Sequence, residues 1–124
     1  MVRLTSYSIK KGAPEKRAGA TRPTFNINVV NKITNPWRVK NLRPLNGLHP
    51  DVQAFIKRCK KTKYIVNDLY FYSKQLGRDV NVGCYGGQHR SVAIVEMVAY
   101  LLRAENVEVE VVHRDLKEVN SGDK

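Results

Sequence analysis

The stretch from Asp79 to Val92, D-V-N-V-G-C-Y-G-G-Q-H-R-S-V, constrains the fold of this chain more than any other. Val80 and Val82 alternate with polar Asp79 and Asn81 and run into Gly83 and Cys84, the pattern of a strand. Two glycines follow, then a polar run ending at Arg90 and Ser91, then an apolar segment, Val92–Leu102, broken by Glu96. A helix so apolar all round is buried on several sides. Val107–Val112 supplies the next strand, so the unit is βαβ and implies a parallel pair with a right-handed crossover. Ligands of open parallel sheets gather at the carboxyl ends of the strands. Three segments are expected to meet there: Lys10–Gly12, Cys84–Ser91 and His113–Asp115.

The rest of the chain fits around that unit. Arg3–Ile9 and Thr24–Val30 alternate as strands, separated by a Gly- and Pro-bearing basic loop, 10–23, expected to be mobile. Asn31–His49 is punctuated by Asn35-Pro36, Pro44 and Asn46-Gly47 and reads as an ordered, irregular connection. Pro50 suits a first helical position, and Val52, Phe55, Ile56 and Cys59 form one helix face. Thr62 is the expected cap of a second helix, striped by Ile65, Leu69, Tyr72 and Leu76 and ended by Gly77. The tail, 120–124, is expected to fray. The expected architecture is a single three-layer α/β domain over residues 1–124. Its sheet is small and mostly parallel, with about four strands and flanking helices.

Charge is unevenly spread along the chain. Residues 1–63 hold fifteen Lys and Arg against two acids, a net of +13, whereas residues 64–124 carry −2. A basic half joined to a slightly acidic half points to a polyanion, RNA above all, bound on one side. The residues expected on RNA phosphates are Lys10, Lys11, Lys16, Arg17, Lys57, Arg58, Lys60, Lys61 and Lys63. No run of eighteen apolar residues exists to span a membrane. Two cysteines make no disulfide framework, and a reducing cytoplasm is the expected compartment.

The turn at 83–91 has the chemistry of an anion site. Gly86 and Gly87 free the backbone for a ligand, and the first N–H groups of a helix have no intrahelical acceptor. A helix terminus alone contributes about 0.3–1 kcal/mol, against the ~8 kcal/mol of a micromolar complex. Side chains must supply the rest. Arg90 is the expected clamp, with Gln88, His89 and Ser91 as further donors and His113 and Arg114 feeding in from the last strand. The bland alternatives are a tight β–α turn whose glycines serve packing, and a solvated strand end at His113–Asp115. Trp37 beside Arg38 can stack on a base or simply anchor packing.

Cys84 and Arg90, five residues apart with Ser91 next, also share the spacing of cysteine-dependent phosphatases. There Cys attacks phosphorus, Arg holds the phosphate and a carboxylic acid, here Asp115 or Asp51, protonates the leaving alcohol. The competing reading makes Cys84 a small buried strand-end residue, and it is preferred because spacing alone is permissive. Cys59 falls on an apolar stripe and reads as core. The cysteines and histidines lack the paired spacing of a zinc site, and no cofactor or metal is expected.

G-C-Y-G-G-Q-H-R-S-V at 83–92, Glu96, H-R-D-L at 113–116, Asn35-Pro36-Trp37 and L-R-P-L-N-G at 42–47 together resemble the C-terminal domain of the RapZ family of RNase adaptor proteins. The resemblance implies a small-RNA-binding regulatory module that forms oligomers. It also implies a pocket for an amino-sugar phosphate, glucosamine-6-phosphate, lined by the region of Cys84, Gly86 and Arg90. Full-length members add an N-terminal nucleotide-binding domain, so a nuclease or a nucleotide-binding protein is an expected partner. Two departures stand out. Asn28-Val29-Val30-Asn31 replaces an Asp-x-Arg common in relatives, and Tyr85 stands where they tend to carry a small residue.

Overall fold

The structure, a computed structural model, describes residues 1–117; the expected frayed tail, 120–124, lies outside the described residues. Four strands, β1 (Val2–Ser8), β2 (Phe25–Asn28), β3 (Val80–Cys84) and β4 (Val109–His113), combine with three helices. The helices are α1 (Pro50–Lys57), α2 (Thr62–Lys74) and α3 (Arg90–Ala104), and two short 3-10 turns cover Ile9–Lys11 and Pro36–Arg38. The strands form one sheet in the order β2-β3-β1-β4, with every pairing parallel.

That order decides where everything else lies. From β1 the chain moves toward the β2 edge, whereas the connections β2 to β3 and β3 to β4 move the opposite way. Right-handed crossovers then place α1, α2 and α3 on one face and the long β1–β2 loop on the other. The register agrees. Leu4 pairs with Val80 and Val111, and Val80 with Phe25, so Val2, Leu4, Val80, Val82, Val109, Val111, Phe25 and Ile27 share the helix-covered face. Against it packs α3, whose Val92, Ala93, Ile94, Val95, Val98, Ala99 and Leu102 are at most 1% exposed. Tyr72 of α2 stacks on Phe25 at 4.2 Å between ring centroids. Truncating a side chain such as Ile94 to Ala costs roughly 2–5 kcal/mol in a core of this kind.

The other face carries Arg3, Thr5, Asn81 and Val112, and its covering layer is loop rather than helix. Arg114 Nη2 donates to Gly12 O (2.7 Å) at the carboxyl end of the strands. Asn81 Nδ2 donates to Pro14 O (3.4 Å) midway, and Arg17 Nε donates to Asp79 Oδ2 (2.8 Å) at the opposite end. The basic loop is thus fastened at three points as it descends the sheet.

Local signals act mostly where the sequence places them. Pro50 opens α1, and His49 Nδ1 accepts from Asp51 N (3.1 Å) to cap it. Thr62 behaves differently from expectation. It is the first residue of α2 rather than its cap, and its Oγ1 donates to Ile56 O (2.5 Å), joining the Cys59 N–H (3.1 Å) on a carbonyl at the end of α1. The two helices are so close in sequence that one hydroxyl serves the end of the first instead of the start of the second.

Asp79 is the fastening on which the loop layer depends. It accepts from Arg17 Nε and Nη2 and from Arg3 N (2.8 Å). Desolvation pushes its carboxyl up, but the hydrogen bonds from Arg17 and Arg3 together outweigh that and hold it below the usual carboxylate range. A folded-state value below the unfolded one stabilises the protein at pH above the unfolded value, about 4, and the gain is lost as pH falls through the folded value. Asp79→Asn is therefore expected to lower Tm by about 5 °C at pH 7. In thermal melts that gap should close below about pH 4, and a gap that persists in acid would contradict the assignment.

Candidate anion-binding site

β1 and β3 are neighbours whose outgoing connections run in opposite directions, which opens a crevice above their carboxyl ends. Ser8 pairs with Cys84 at the crevice floor, and the turn 85–89 rises from it into α3. Gly87 has φ +70°, and a Cβ there would meet Ser8 N at 2.9 Å and Asp115 Cβ at 3.2 Å. The turn and the last strand's exit can approach this closely only over a glycine. At Gly86 a Cβ would meet nothing nearer than Gln88 Cγ at 3.9 Å, so this glycine leaves room above the turn.

Hydrogen bonds tie the three strand ends together. Ser8 N donates to Asp115 Oδ2 (2.7 Å) and Ser8 Oγ to Tyr85 O (2.8 Å). Gln88 Nε2 donates to Asp115 O (2.8 Å) and Gly86 O (3.0 Å), while its Oε1 accepts from Lys117 N (3.0 Å). Gln88 is thus spent on holding the turn. A fourth segment buttresses the start of α3: Gly47 N donates to Gln88 O (2.7 Å). With these ties made, the backbone N–H groups from Gly86 to Ser91 donate to no acceptor among the described residues.

Arg90 opens α3 at the end of that turn and lines the same cavity. It is 4% exposed. Its Nη1 donates to Val30 O (2.9 Å) and Ile33 O (3.1 Å), which fixes the guanidinium plane. Its Nε is buried without a hydrogen-bond partner, and no carboxylate pairs with it among the described residues. Desolvation pulls its pKa down, with the neighbouring Cys84 sulfur opposing and the charge of Arg38 adding a smaller push in the same downward direction. A buried cation is costly unless a counter-charge and full hydrogen bonding accompany it. His89 Nε2 is likewise buried and unpartnered. Burial pulls the His89 imidazole below its ordinary pKa, against the opposing pull of the Leu45 and Arg43 carbonyls, so the ring is neutral at pH 7. Cys84 Sγ sits 3.1 Å from Ser91 Oγ at the floor.

Above these groups is a cavity of about 540 Å³. Cys84, Tyr85, Gly86, Gln88, His89 and Arg90 form its floor and one wall; Lys10, Asn35, Trp37, Arg43, Pro44, Leu45, Asn46 and Lys117 form the remainder. Lys10 Nζ lies 4.2 Å from the Tyr85 ring centroid, and Arg43 Cζ 4.9 Å from that of Trp37. The Asn35–Gly47 wall was not singled out as part of the site from sequence. Its signal is the pair of rigid punctuations, Asn35-Pro36 and Pro44 with Asn46-Gly47, which preset a loop without saying what it faces.

The other expected site residues are dispersed. His113 turns toward α3, bridging Ser6 Oγ (2.7 Å, at Nδ1) and Glu96 Oε2 (2.7 Å, at Nε2), and does not line the cavity. The His113 contact in turn holds the Glu96 carboxyl below its ordinary value, against desolvation. Arg114 pairs with Asp115 (2.8 Å) and bridges to Gly12. Asp115 is held low by its hydrogen bond from Arg114, against desolvation and with help from Ser8 N. Such a group is an ionised carboxylate at neutral pH and a poor general acid. Asp51 stands exposed at the start of α1. Of the residues expected on RNA, Lys10 is on the cavity rim. Lys11 and Lys16 are exposed, whereas Arg17 is ion-paired at the far end of the sheet. Lys57, Arg58, Lys60, Lys61 and Lys63 are exposed together around the α1–α2 corner. Among the described residues no group of three or more His, Cys, Asp or Glu can hold a metal ion, and no helix is long and apolar enough to cross a membrane.

The family model described as the RapZ C-terminal domain matches residues 1–117. Among curated proteins, the chain is 38% identical over 105 residues to a "Nucleotide-binding protein" of Desulfitobacterium hafniense, covering 77% of this chain and 35% of that one. It is 31% identical over 128 residues to a protein of the same description from Deinococcus radiodurans (94% and 43%). A third, from Geobacter sp. strain M21, is 34% identical over 125 residues (93% and 41%). The chain spans less than half the length of these relatives.

Gly47 is the most sensitive structural support of the site. A Cβ there would meet His89 O at 2.4 Å and Ala93 N at 2.6 Å, both backbone atoms that cannot swing aside. Gly47→Ala is expected to cost about 1–3 kcal/mol in chemical denaturation and to disorder the start of α3. Unchanged stability would show that the 46–49 segment does not brace the turn.

Proposed function

This chain belongs to the RapZ C-terminal domain family, and from that premise we propose that it is an RNA-binding regulatory module carrying a pocket for a phosphorylated small molecule at residues 83–91. The observation that carries the pocket is the buried guanidinium of Arg90, which among the described residues has an unpartnered Nε and no carboxylate paired to it, next to a row of backbone N–H groups that donate to no acceptor there. A phosphate is the group that answers both at once: it has the counter-charge and several acceptor oxygens. Lys10 on the rim adds long-range attraction. The family resemblance supplies glucosamine-6-phosphate as one ligand to test, and the relatives' description as nucleotide-binding proteins supplies nucleotides as another.

The RNA reading is supported by the exposed basic corner at Lys57–Lys63 and by the exposed ring of Tyr64 next to it, with Lys63 Nζ 5.2 Å from the ring centroid. Regulation through a nuclease, a nucleotide-binding partner or a second copy of the chain is the role the family implies for such a module.

A second reading is a cysteine phosphatase, favoured by the contact of Cys84 Sγ with Ser91 Oγ at 3.1 Å. It is the weaker one. No Asp or Glu lines the cavity among the described residues, and Asp115 is tied into ion pairing as a carboxylate. Release of phosphate from an aryl phosphate, abolished by Cys84→Ser, would reverse that ranking.

Two measurements test the proposal. Inorganic phosphate at 100 times its dissociation constant should stabilise the protein by about 2.7 kcal/mol, and Arg90→Lys, which keeps charge but loses the planar fork, should reduce that stabilisation by more than half. An undiminished effect would remove Arg90 from the site. Binding of single-stranded RNA through ~5 phosphates should fall with salt at a slope of about −3.5 in log K against log salt, and a Lys60→Glu, Lys61→Glu double variant should flatten it by about 1–1.5. A flat response in the parent protein would exclude the basic corner as an RNA surface.

A further inference from the structure

We infer that the cavity above Arg90 takes a nucleoside monophosphate group, with its phosphate on the Gly86–Arg90 turn and its base against the ring of Tyr85 or Trp37. The inference rests on the anion-binding reading above and adds the identity of the non-phosphate part. Two aromatic rings border the same cavity as Arg90, and both are open to solvent, Trp37 at 53% and Tyr85 at 55% exposed. Neither is on a helix stripe or a strand face that packing would claim. Each has a cation against its ring, Lys10 at 4.2 Å and Arg43 at 4.9 Å. Aromatic rings with neighbouring cations are the recurring platform for nucleobases, because every base has a π-face and the cation meets the phosphate.

Trp37 is also held in place before any ligand arrives. Its N–H donates to Asn35 Oδ1 (3.1 Å), its carbonyl accepts from Arg43 Nε (3.0 Å), and it sits in a 3-10 turn that begins with Pro36. A preset platform loses little entropy on binding.

The polar side chains around the cavity argue in the same direction. A sugar phosphate is distinguished by its hydroxyls, which need convergent side-chain donors and acceptors, and an amino sugar also calls for a carboxylate. Here Asn35 Oδ1 accepts from Trp37 N and Asn46 Oδ1 from Leu48 N, and both ends of the Gln88 amide are used on backbone groups. No carboxylate lines the cavity among the described residues. Beyond the phosphate, the wall offers aromatic and apolar surface with positive charge; the polar groups left open among the described residues, the Nδ2 amides of Asn35 and Asn46 and His89 Nε2, include no carboxylate to match an amino group. The volume, about 540 Å³, lies within the ~300–1,000 Å³ range of small-molecule sites.

The test is calorimetric titration of the intact chain with adenosine 5′-monophosphate, ribose 5-phosphate, glucosamine 6-phosphate and inorganic phosphate. Quenching of Trp37, the only tryptophan, is followed in parallel. The nucleotide should bind at least about tenfold more tightly than ribose 5-phosphate, which differs only by the base. A Trp37→Ala, Tyr85→Ala double variant should shrink that ratio by about fivefold or more, toward one. Equal binding of the nucleotide and ribose 5-phosphate, a ratio the double variant leaves intact, or tightest binding of glucosamine 6-phosphate overturns the inference while leaving an anion site standing. If inorganic phosphate and ribose 5-phosphate also fail to bind, the anion site itself falls. A short RNA with a 5′-phosphate, compared with its 5′-hydroxyl twin and with the mononucleotide, separates the two sources of this chemistry. Preference for the phosphorylated strand assigns the cavity to RNA ends, parity with the mononucleotide assigns it to free nucleotides, and both uphold the inference.

Discussion

A guanidinium buried to 4% exposure with no carboxylate paired to it among the described residues is an expensive thing to build, and Arg90 is that guanidinium. Taking an ion out of water costs several kcal/mol even after relaxation, and hydrogen bonds to two backbone carbonyls return only part of it. Those carbonyls, Val30 and Ile33, belong to the segment that leaves β2, while Arg90 itself opens α3. The same contacts therefore tie the start of α3 to the segment leaving β2 and hold the charge in place. Stability alone would be better served by an apolar side chain at this position. On the proposed reading the energetic cost is preorganisation for an anion, with the charge and the row of N–H groups fixed in place before a ligand arrives.

The rest of the fold leads to that point through topology. Strand order β2-β3-β1-β4 with right-handed crossovers sends the basic loop down one face and all three helices over the other. The reversal of direction between β1 and β3 opens the crevice, and backbone approach closes it to the right width. Gly87 lets the turn approach Ser8 and Asp115, Gly47 lets the 46–49 segment approach α3, and Gly83 makes room for the ring of Tyr7, 2.5 Å from where its Cβ would stand. At each of these positions a single methyl group would push backbone or ring aside.

Much of this was legible in the chain. Alternating Val80 and Val82, the glycine pair and the apolar Val92–Leu102 were enough to predict a βαβ unit with parallel strands and the meeting of three strand ends, but not that β1 inserts between β3 and β4, so that each of them pairs with β1 and not with the other. Composition and periodicity report burial and local geometry well. They do not report which face of a sheet a strand-end residue takes, and His113 shows it. It was expected just after the last strand but is the final residue of β4, on the face that packs against α3 and Glu96, while its neighbour Arg114 turns toward Gly12. Charge counting has the same blind spot. Arg17 belongs to the basic half of the chain, yet a carboxylate brought in from Asp79, far along the sequence, claims it. The Trp37 and Arg43 wall needed the fold, since nothing in a loop's punctuation says which cavity it will border.

The central claim, that Arg90 and the turn before it form an anion site, is tested most directly by following backbone and arginine Nε–H resonances during a titration with inorganic phosphate. The account predicts that the largest, saturable shifts fall on the amides of Gly86 to Ser91 and on the Nε–H of Arg90. Saturable shifts confined to the exposed lysines at 57–63, with the 86–91 amides and Arg90 unmoved, would contradict it.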